Sequence, residues 1–143
     1  MKNSVYTKNN ITYPYSEITQ NIRVSVYTNY LEDQSEPDKN LWLWSYHILI
    51  ENYNDINVQL MNRYWKITDS TGYIQEVQGE GVIGKQPNIN PNNYFEYSSG
   101  TPLRVSSGFM TGNYEMKWEN NKYFKINIPT FSLDVPSSNK IIN

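Results

Sequence analysis

Five large apolar side chains recur at every second position from Trp42 through Trp44, Tyr46, Ile48 and Ile50. That spacing constrains the chain more than any other feature. Alternate residues of a strand point to the same side, so this run can bury one continuous face only as a β-strand. On a helix the same residues would scatter around the axis. Ser45, His47 and Glu51 then face the other way. The pattern recurs at Ile22, Val24 and Val26, at Met110, Tyr114, Met116 and Trp118, and at Phe124, Ile126 and Ile128. Pro129 shifts the parity onto Phe131, Leu133 and Val135. Between Val58 and Thr68 the apolar parity changes near Met61 and Asn62, which predicts a bulge or bend.

Composition supports the strand reading. The 143 residues contain no alanine, the best helix former, and twenty asparagines, which favour turns and caps. Asn52–Asn57, Asp69-Ser70-Thr71-Gly72 and Asn120-Asn121 read as turns, and Tyr73–Val77 and Tyr94–Tyr97 as short strands. Seven or eight strands at this spacing predict an all-β fold, an antiparallel sandwich of immunoglobulin or fibronectin type III kind. Residues 1–20 read as an N-terminal extension, 21–135 as the sandwich domain, and 136–143 as a disordered tail.

The formal net charge of −2, with no basic run, argues against nucleic acid and acidic membrane surfaces as partners. Cysteine is absent, which removes disulfides and thiolate metal sites. Residues 1–10 lack the apolar stretch of a signal peptide, and no window reaches the roughly 18 apolar residues of a membrane span. The expected location is the cytosol.

Gly79-Glu80-Gly81-Val82-Ile83-Gly84 has the form G-x-G-x-x-G. The following Lys85-Gln86-Pro87 and Pro91 forbid the helix that a dinucleotide fold needs. Two readings of the loop remain open: tight turns between strands, or a nest of backbone N–H groups holding an anion beside Lys85. Arg63 and Trp65 share a strand face, where the guanidinium can stack, pair with a carboxylate or receive a phosphate. Glu32, Asp33, Glu36 and Asp38 lack the spacing of a calcium loop and read as a solvated acidic loop. His47, the only histidine, reads as a sheet-face residue. No nucleophile elbow accompanies it, and the carboxylates Glu76 and Glu80 show no spacing specific to acid–base work. No catalytic residues, metal ligands or cofactor are expected.

Taken in order, Arg23-Val24-Ser25-Val26, Tyr30–Pro37, Val58-Gln59-Leu60, Arg63–Asp69, Glu76–Pro87, Phe95–Leu103, Gly108–Met116 and Ile128–Leu133 resemble the ApaG family. The likeness spans about residues 20–135 and is most specific over Glu76–Pro87. It implies a fibronectin type III-like sandwich whose glycine loop is a family feature proposed to bind pyrophosphate or a nucleotide; Lys85 and Arg63 are the cations expected beside such a nest. It also implies a link to cobalt tolerance and magnesium efflux, and proximity to a diadenosine tetraphosphate hydrolase gene. Similar domains in F-box and polymerase-interacting proteins imply the alternative, a protein-interaction module whose glycine loop is purely structural. The resemblance brings no enzyme activity with it. Three positions depart from the family pattern: Tyr64 replaces a usual His, Gln78 a common Arg, and Lys85 a frequent acid.

Overall fold

The computed structural model describes residues 4–136. Among these described residues there are eleven strands: β1 (Tyr6–Lys8), β2 (Ile11–Tyr13), β3 (Tyr15–Thr19), β4 (Ile22–Tyr30), β5 (Trp42–Asn52), β6 (Val58–Asp69), β7 (Ile74–Glu80), β8 (Asn88–Ile89), β9 (Tyr94–Leu103), β10 (Ser107–Trp118) and β11 (Tyr123–Asp134). Among the described residues the only helical pieces are two short 3₁₀ turns, Glu32–Gln34 and Pro37–Lys39, within the acidic loop. No helix there is long and apolar enough to cross a membrane. The disordered tail expected from the sequence lies, from residue 137 on, outside the described residues.

Two antiparallel sheets face each other. One runs β11-β10-β6-β7, with β8 also paired to β6; the other runs β3-β4-β5-β9. This is the β-sandwich that the alternation predicts. Ile22, Val24, Val26, Ile48 and Ile50 of the second sheet are fully buried against Tyr114, Met116, Ile126 and Phe131 of the first. Trp44 and Tyr46 are buried with them, and Trp42, Trp118 and Phe124 pack against the rim. Trp65 meets Tyr46 and Phe131 edge-on, with ring centres 5.4 and 5.8 Å away, the arrangement the ring quadrupoles favour.

Both parity changes read from the sequence correspond to irregular pairing. Met116 pairs with Leu60 but Glu115 with Asn62, so Met61 is the extra residue of β6. Met110 pairs with Phe131 but Gly112 with Ile128, which places the second irregularity at Pro129. Two strands extend beyond their sequence expectation, β7 to Glu80 and β9 to Leu103, and β8 is an additional short strand between Pro87 and Pro91.

The segment read as an extension carries β1, β2 and β3. β3 pairs with β4 along its whole length, and Ser16 is fully buried against Ser25. The β1–β2 hairpin lies on the face that β4 and β5 turn away from the core. There Glu51, 4 % exposed, accepts from Tyr6 and pairs with Lys8, while Arg23 stacks over Tyr6 at 4.1 Å. Burial is the main reason the Tyr6 hydroxyl titrates well above its ordinary range, with hydrogen bonds to Tyr53 and Glu51 adding to the shift.

At the β6–β7 turn, Asp69 is the hub of a local network. Its carboxylate accepts from the Thr71 hydroxyl at 2.6 Å, the Thr71 and Tyr73 N–H groups, and the Arg104 guanidinium at 3.1 Å. Arg104 in turn covers the Tyr73 ring at 3.9 Å. The Thr71 hydroxyl first, then the backbone donors and Arg104, hold the Asp69 pKa at about 2, below the ordinary 3.8. A carboxyl whose folded pKa is depressed contributes stability above its unfolded pKa and loses it as pH falls through the folded value. The expected outcome is a melting temperature that drops as pH falls from about 4 to about 2. An Asp69→Asn variant should melt lower at neutral pH and show a flatter slope in that window, by calorimetry.

Candidate functional site

The glycine loop grows directly out of β7. Arg63 pairs with Gly79 and Asn62 with Glu80, after which the Gly81 N–H donates to the Met61 carbonyl at 2.8 Å. Val82 and Lys85 then exchange both backbone hydrogen bonds, at 2.8 and 2.9 Å, closing a four-residue turn. Ile83 and Gly84 both have positive φ, +43° and +76°, the signs of a type I′ turn. Gln86 reaches back to the Met61 carbonyl, and the Leu60 N–H donates to Pro87. The loop is therefore tied to β6 at its bulge.

The glycines answer to different demands. Gly81 has φ +63°, and a Cβ there would collide with the Lys85 carbonyl oxygen. Gly84 needs only its positive φ, with open space around it. Gly79 is a landing place: a Cβ there would lie 2.8 Å from the Arg63 guanidinium. That guanidinium donates from Nη1 to the Glu80 carbonyl at 3.1 Å and the Gly81 carbonyl at 2.9 Å. Arg63 and Trp65 do share a face, as the sequence implied, yet Arg63 clamps the loop's carbonyls while Trp65 is buried in the core. Behind Arg63 the Tyr97 and Tyr114 hydroxyls share a buried hydrogen bond of 2.5 Å. Burial pushes both above their ordinary range, and the nearby guanidinium works in the opposite direction.

The expected anion nest can be tested against these bonds. Three of the loop's N–H groups, on Gly81, Val82 and Lys85, already donate to backbone carbonyls. Those of Ile83 and Gly84 and the Lys85 ammonium have no partner among the described residues. The structure thus brings Gly79–Lys85 and Arg63 together, with Arg63 turned onto carbonyls and Lys85 free at the tip.

On the solvent face of the same sheet, two rows cross four strands. Lys125, Glu115, Asn62 and Glu80 form one; Asn127, Asn113, Tyr64 and Gln78 form the other. All of these except Asn127 line an open groove of about 590 Å³. Asn62 donates to Glu115 at 2.8 Å, and the Tyr64 hydroxyl donates to Glu76 at 2.5 Å. Tyr64 thus works here as a donor to a carboxylate.

The second sheet holds an arrangement that the sequence did not reveal. His47 Nδ1 lies 2.8 Å from the Ser98 hydroxyl and Nε2 lies 2.8 Å from Glu96, with Tyr27 stacked on the ring at 5.0 Å. The only cue was spacing, since Glu96 and Ser98 are two apart, but the β5–β9 register was not legible. Ser98 projects from a regular strand, whose N–H groups lie in the sheet plane and alternate in direction. They cannot converge on an oxyanion above that face, as acyl transfer requires. Among the described residues there is no group of three or more His, Asp or Glu able to hold a metal ion.

The ApaG domain profile matches residues 32–118, more than half of the chain. The chain belongs to the ApaG family. It is 50% identical over 129 residues to Protein ApaG of Parvibaculum lavamentivorans, covering 90% of this chain and 99% of that one. The same figures hold for Protein ApaG of Brucella abortus. A crystal structure of the Bordetella pertussis protein described as ApaA superposes with a TM-score of 0.78 at 38% identity, over 80% of this chain and 94% of that one. The ApaG family is not known as a catalytic one.

The glycine geometry orders three substitutions. Gly81→Ala combines a left-handed φ with a collision against backbone and should cost more than about 2 kcal/mol. Gly84→Ala meets only the left-handed penalty, about 1 kcal/mol. Gly79→Ala displaces the mobile end of Arg63 and its two hydrogen bonds, again about 1 kcal/mol. Urea denaturation of the three variants checks the order.

Proposed function

We propose that this ApaG-family chain is a non-catalytic binding domain that contacts a protein partner along the β7 side of the sandwich, with the glycine loop as its scaffold. One observation carries this reading. From Tyr73 to Ile83 the chain exposes Tyr73, Ile74, Val77 and Ile83 in succession, Ile83 to 53 % at the tip of the turn. A β-branched residue at positive φ is strained by about 1–3 kcal/mol, so Ile83 is held outward at a cost. Four of the eleven exposed large apolar side chains among the described residues fall on this one segment, and such a local density marks an interaction surface. The inward use of the loop's N–H groups and of Arg63 supports the scaffold role. On this reading the family's link to cobalt tolerance and magnesium efflux runs through a partner protein, and the domain acts in the cytoplasm.

A second reading keeps the expected phosphate-bearing ligand, pyrophosphate or a nucleotide. It is favoured by one observation, the unpartnered Ile83 and Gly84 N–H groups beside Lys85. Calorimetry with ATP and with pyrophosphate, on wild type and Lys85→Ala, separates the two. The interaction reading expects no heat and no thermal stabilisation at millimolar ligand. Binding that weakens with salt and disappears in Lys85→Ala would establish the second reading instead.

A further inference from the structure

Each sandwich edge presents backbone N–H and C=O groups that could pair with another chain, and proteins normally blunt such edges. Three of the four edges here are blunted. β11 carries Lys125 and the irregularity at Pro129, and β3 is a short strand. These two edges are also bridged, because Asn127 donates through its backbone to Thr19 and through its side chain to Glu17. β9 contains Pro102, which has no N–H to offer, and Gly100. β7 differs from all three. Its seven residues contain no proline, no lysine and no register shift, and its far side pairs with no strand among the described residues.

The side chains along β7 specify what could pair there. Ile74, Glu76, Gln78 and Glu80 share the solvent face, and Val77, 38 % exposed, lies on the opposite face between Gln75 and Gly79. The strand thus carries two carboxylates four residues apart and no cation. A second copy of this chain, paired antiparallel, would line up four carboxylates in one seam, which opposes self-association. An extended segment with basic residues opposite Glu76 and Glu80 meets the same edge with complementary charge. Inward of β7 the groove rows add the carboxylate of Glu115 and the polar Asn62 and Tyr64. Lys66 stands opposite Glu76 and Lys125 closes the far end, so the acidic end of the groove is the one at Glu80.

We infer that β7 is a docking edge for an extended, basic segment of a partner protein, which adds to the sheet as a sixth strand, beyond β7. This rests on the interaction reading above and names its mode and chemistry. Backbone hydrogen bonds supply the attachment, and side chains at alternate positions supply the selectivity. Antiparallel addition places Lys or Arg at the first and fifth positions of the segment, facing Glu80 and Glu76. Apolar residues fall opposite Val77 and Ile74.

The test is a titration of the isotopically labelled full chain with a capped peptide, Lys-Thr-Gln-Val-Lys-Thr-Val, followed by amide shifts in the nuclear magnetic resonance spectrum. The expected shifts are confined to Tyr73–Glu80 and the neighbouring groove. A peptide with Glu in place of both Lys should leave the spectrum unchanged. So should the basic peptide methylated on the backbone nitrogens that face β7, because its ladder donors are gone. Glu80→Lys should weaken the basic peptide by roughly three- to tenfold. Glu76→Lys with Glu80→Lys should reverse the preference towards the acidic peptide; both positions are exposed, so the fold is retained.

Equal binding of acidic and basic peptides, indifference to backbone methylation, or no shift at millimolar peptide would overturn the inference. Concentration-dependent self-pairing through β7 without peptide would overturn it in favour of a second copy. Shifts that map to another surface overturn β7 as the edge and leave the interaction reading standing. Shifts of Ile83–Lys85 with pyrophosphate alone, and none with any peptide, overturn both readings.

Discussion

The extra residue that β6 carries at Met61 sets the parity of half the molecule. Before it, Val58 and Leu60 face the core; after it, Trp65 and Ile67 do. β6 pairs with β10, β7 and β8, so the switch propagates to its neighbours. It turns Arg63 inward to the core rim, next to Tyr114, and turns Asn62 and Tyr64 out into the groove. Without the bulge, Arg63 would face solvent and Trp65 would leave the core.

Arg63 then links the core to the loop. Its guanidinium lies over Gly79, grips the Glu80 and Gly81 carbonyls, and sits close enough to Tyr46, Tyr97 and Tyr114 to oppose their burial-driven pKa shifts. A charged group at such a rim is stabilised by carbonyl acceptors where a carboxylate is lacking. The same contact explains why a motif with the spacing of a phosphate loop behaves as a strapped hairpin. Its Gly81 N–H turns onto the Met61 carbonyl, Val82 and Lys85 each donate to the other's carbonyl, and the Glu80 and Gly81 carbonyls turn onto Arg63.

What faces solvent follows from that arrangement. With the loop fixed, β7 runs straight to Glu80 and keeps its far edge open, while the opposite side of the sandwich is bridged from β11 to β3. The β1–β2 hairpin, held through Glu51, Tyr6 and Arg23, covers part of the second sheet and buries a carboxylate that alternation alone would place in water. Of the apolar side chains left exposed among the described residues, Tyr73, Ile74, Val77 and Ile83 fall on β7 and its two flanking turns.

The sequence by itself determined the long strands, their inward faces, both parity breaks and the family, because side-chain alternation is local and survives in one dimension. It also brought Arg63 and the glycine loop forward, without placing one against the other. Only the tertiary structure decided what the two do with their donors. The direction of an N–H group and the partner of a guanidinium depend on strand register, which joins residues as far apart as His47 and Ser98. β1 to β3 escaped the sequence reading for the same reason. Polar residues such as Ser16 carry no apolar period, and their burial comes from the strands and hairpin packed around them. The lengths of β7 and β9 were hidden by glycine, proline and serine, whose weak strand preference is overridden by pairing with β6 and β5.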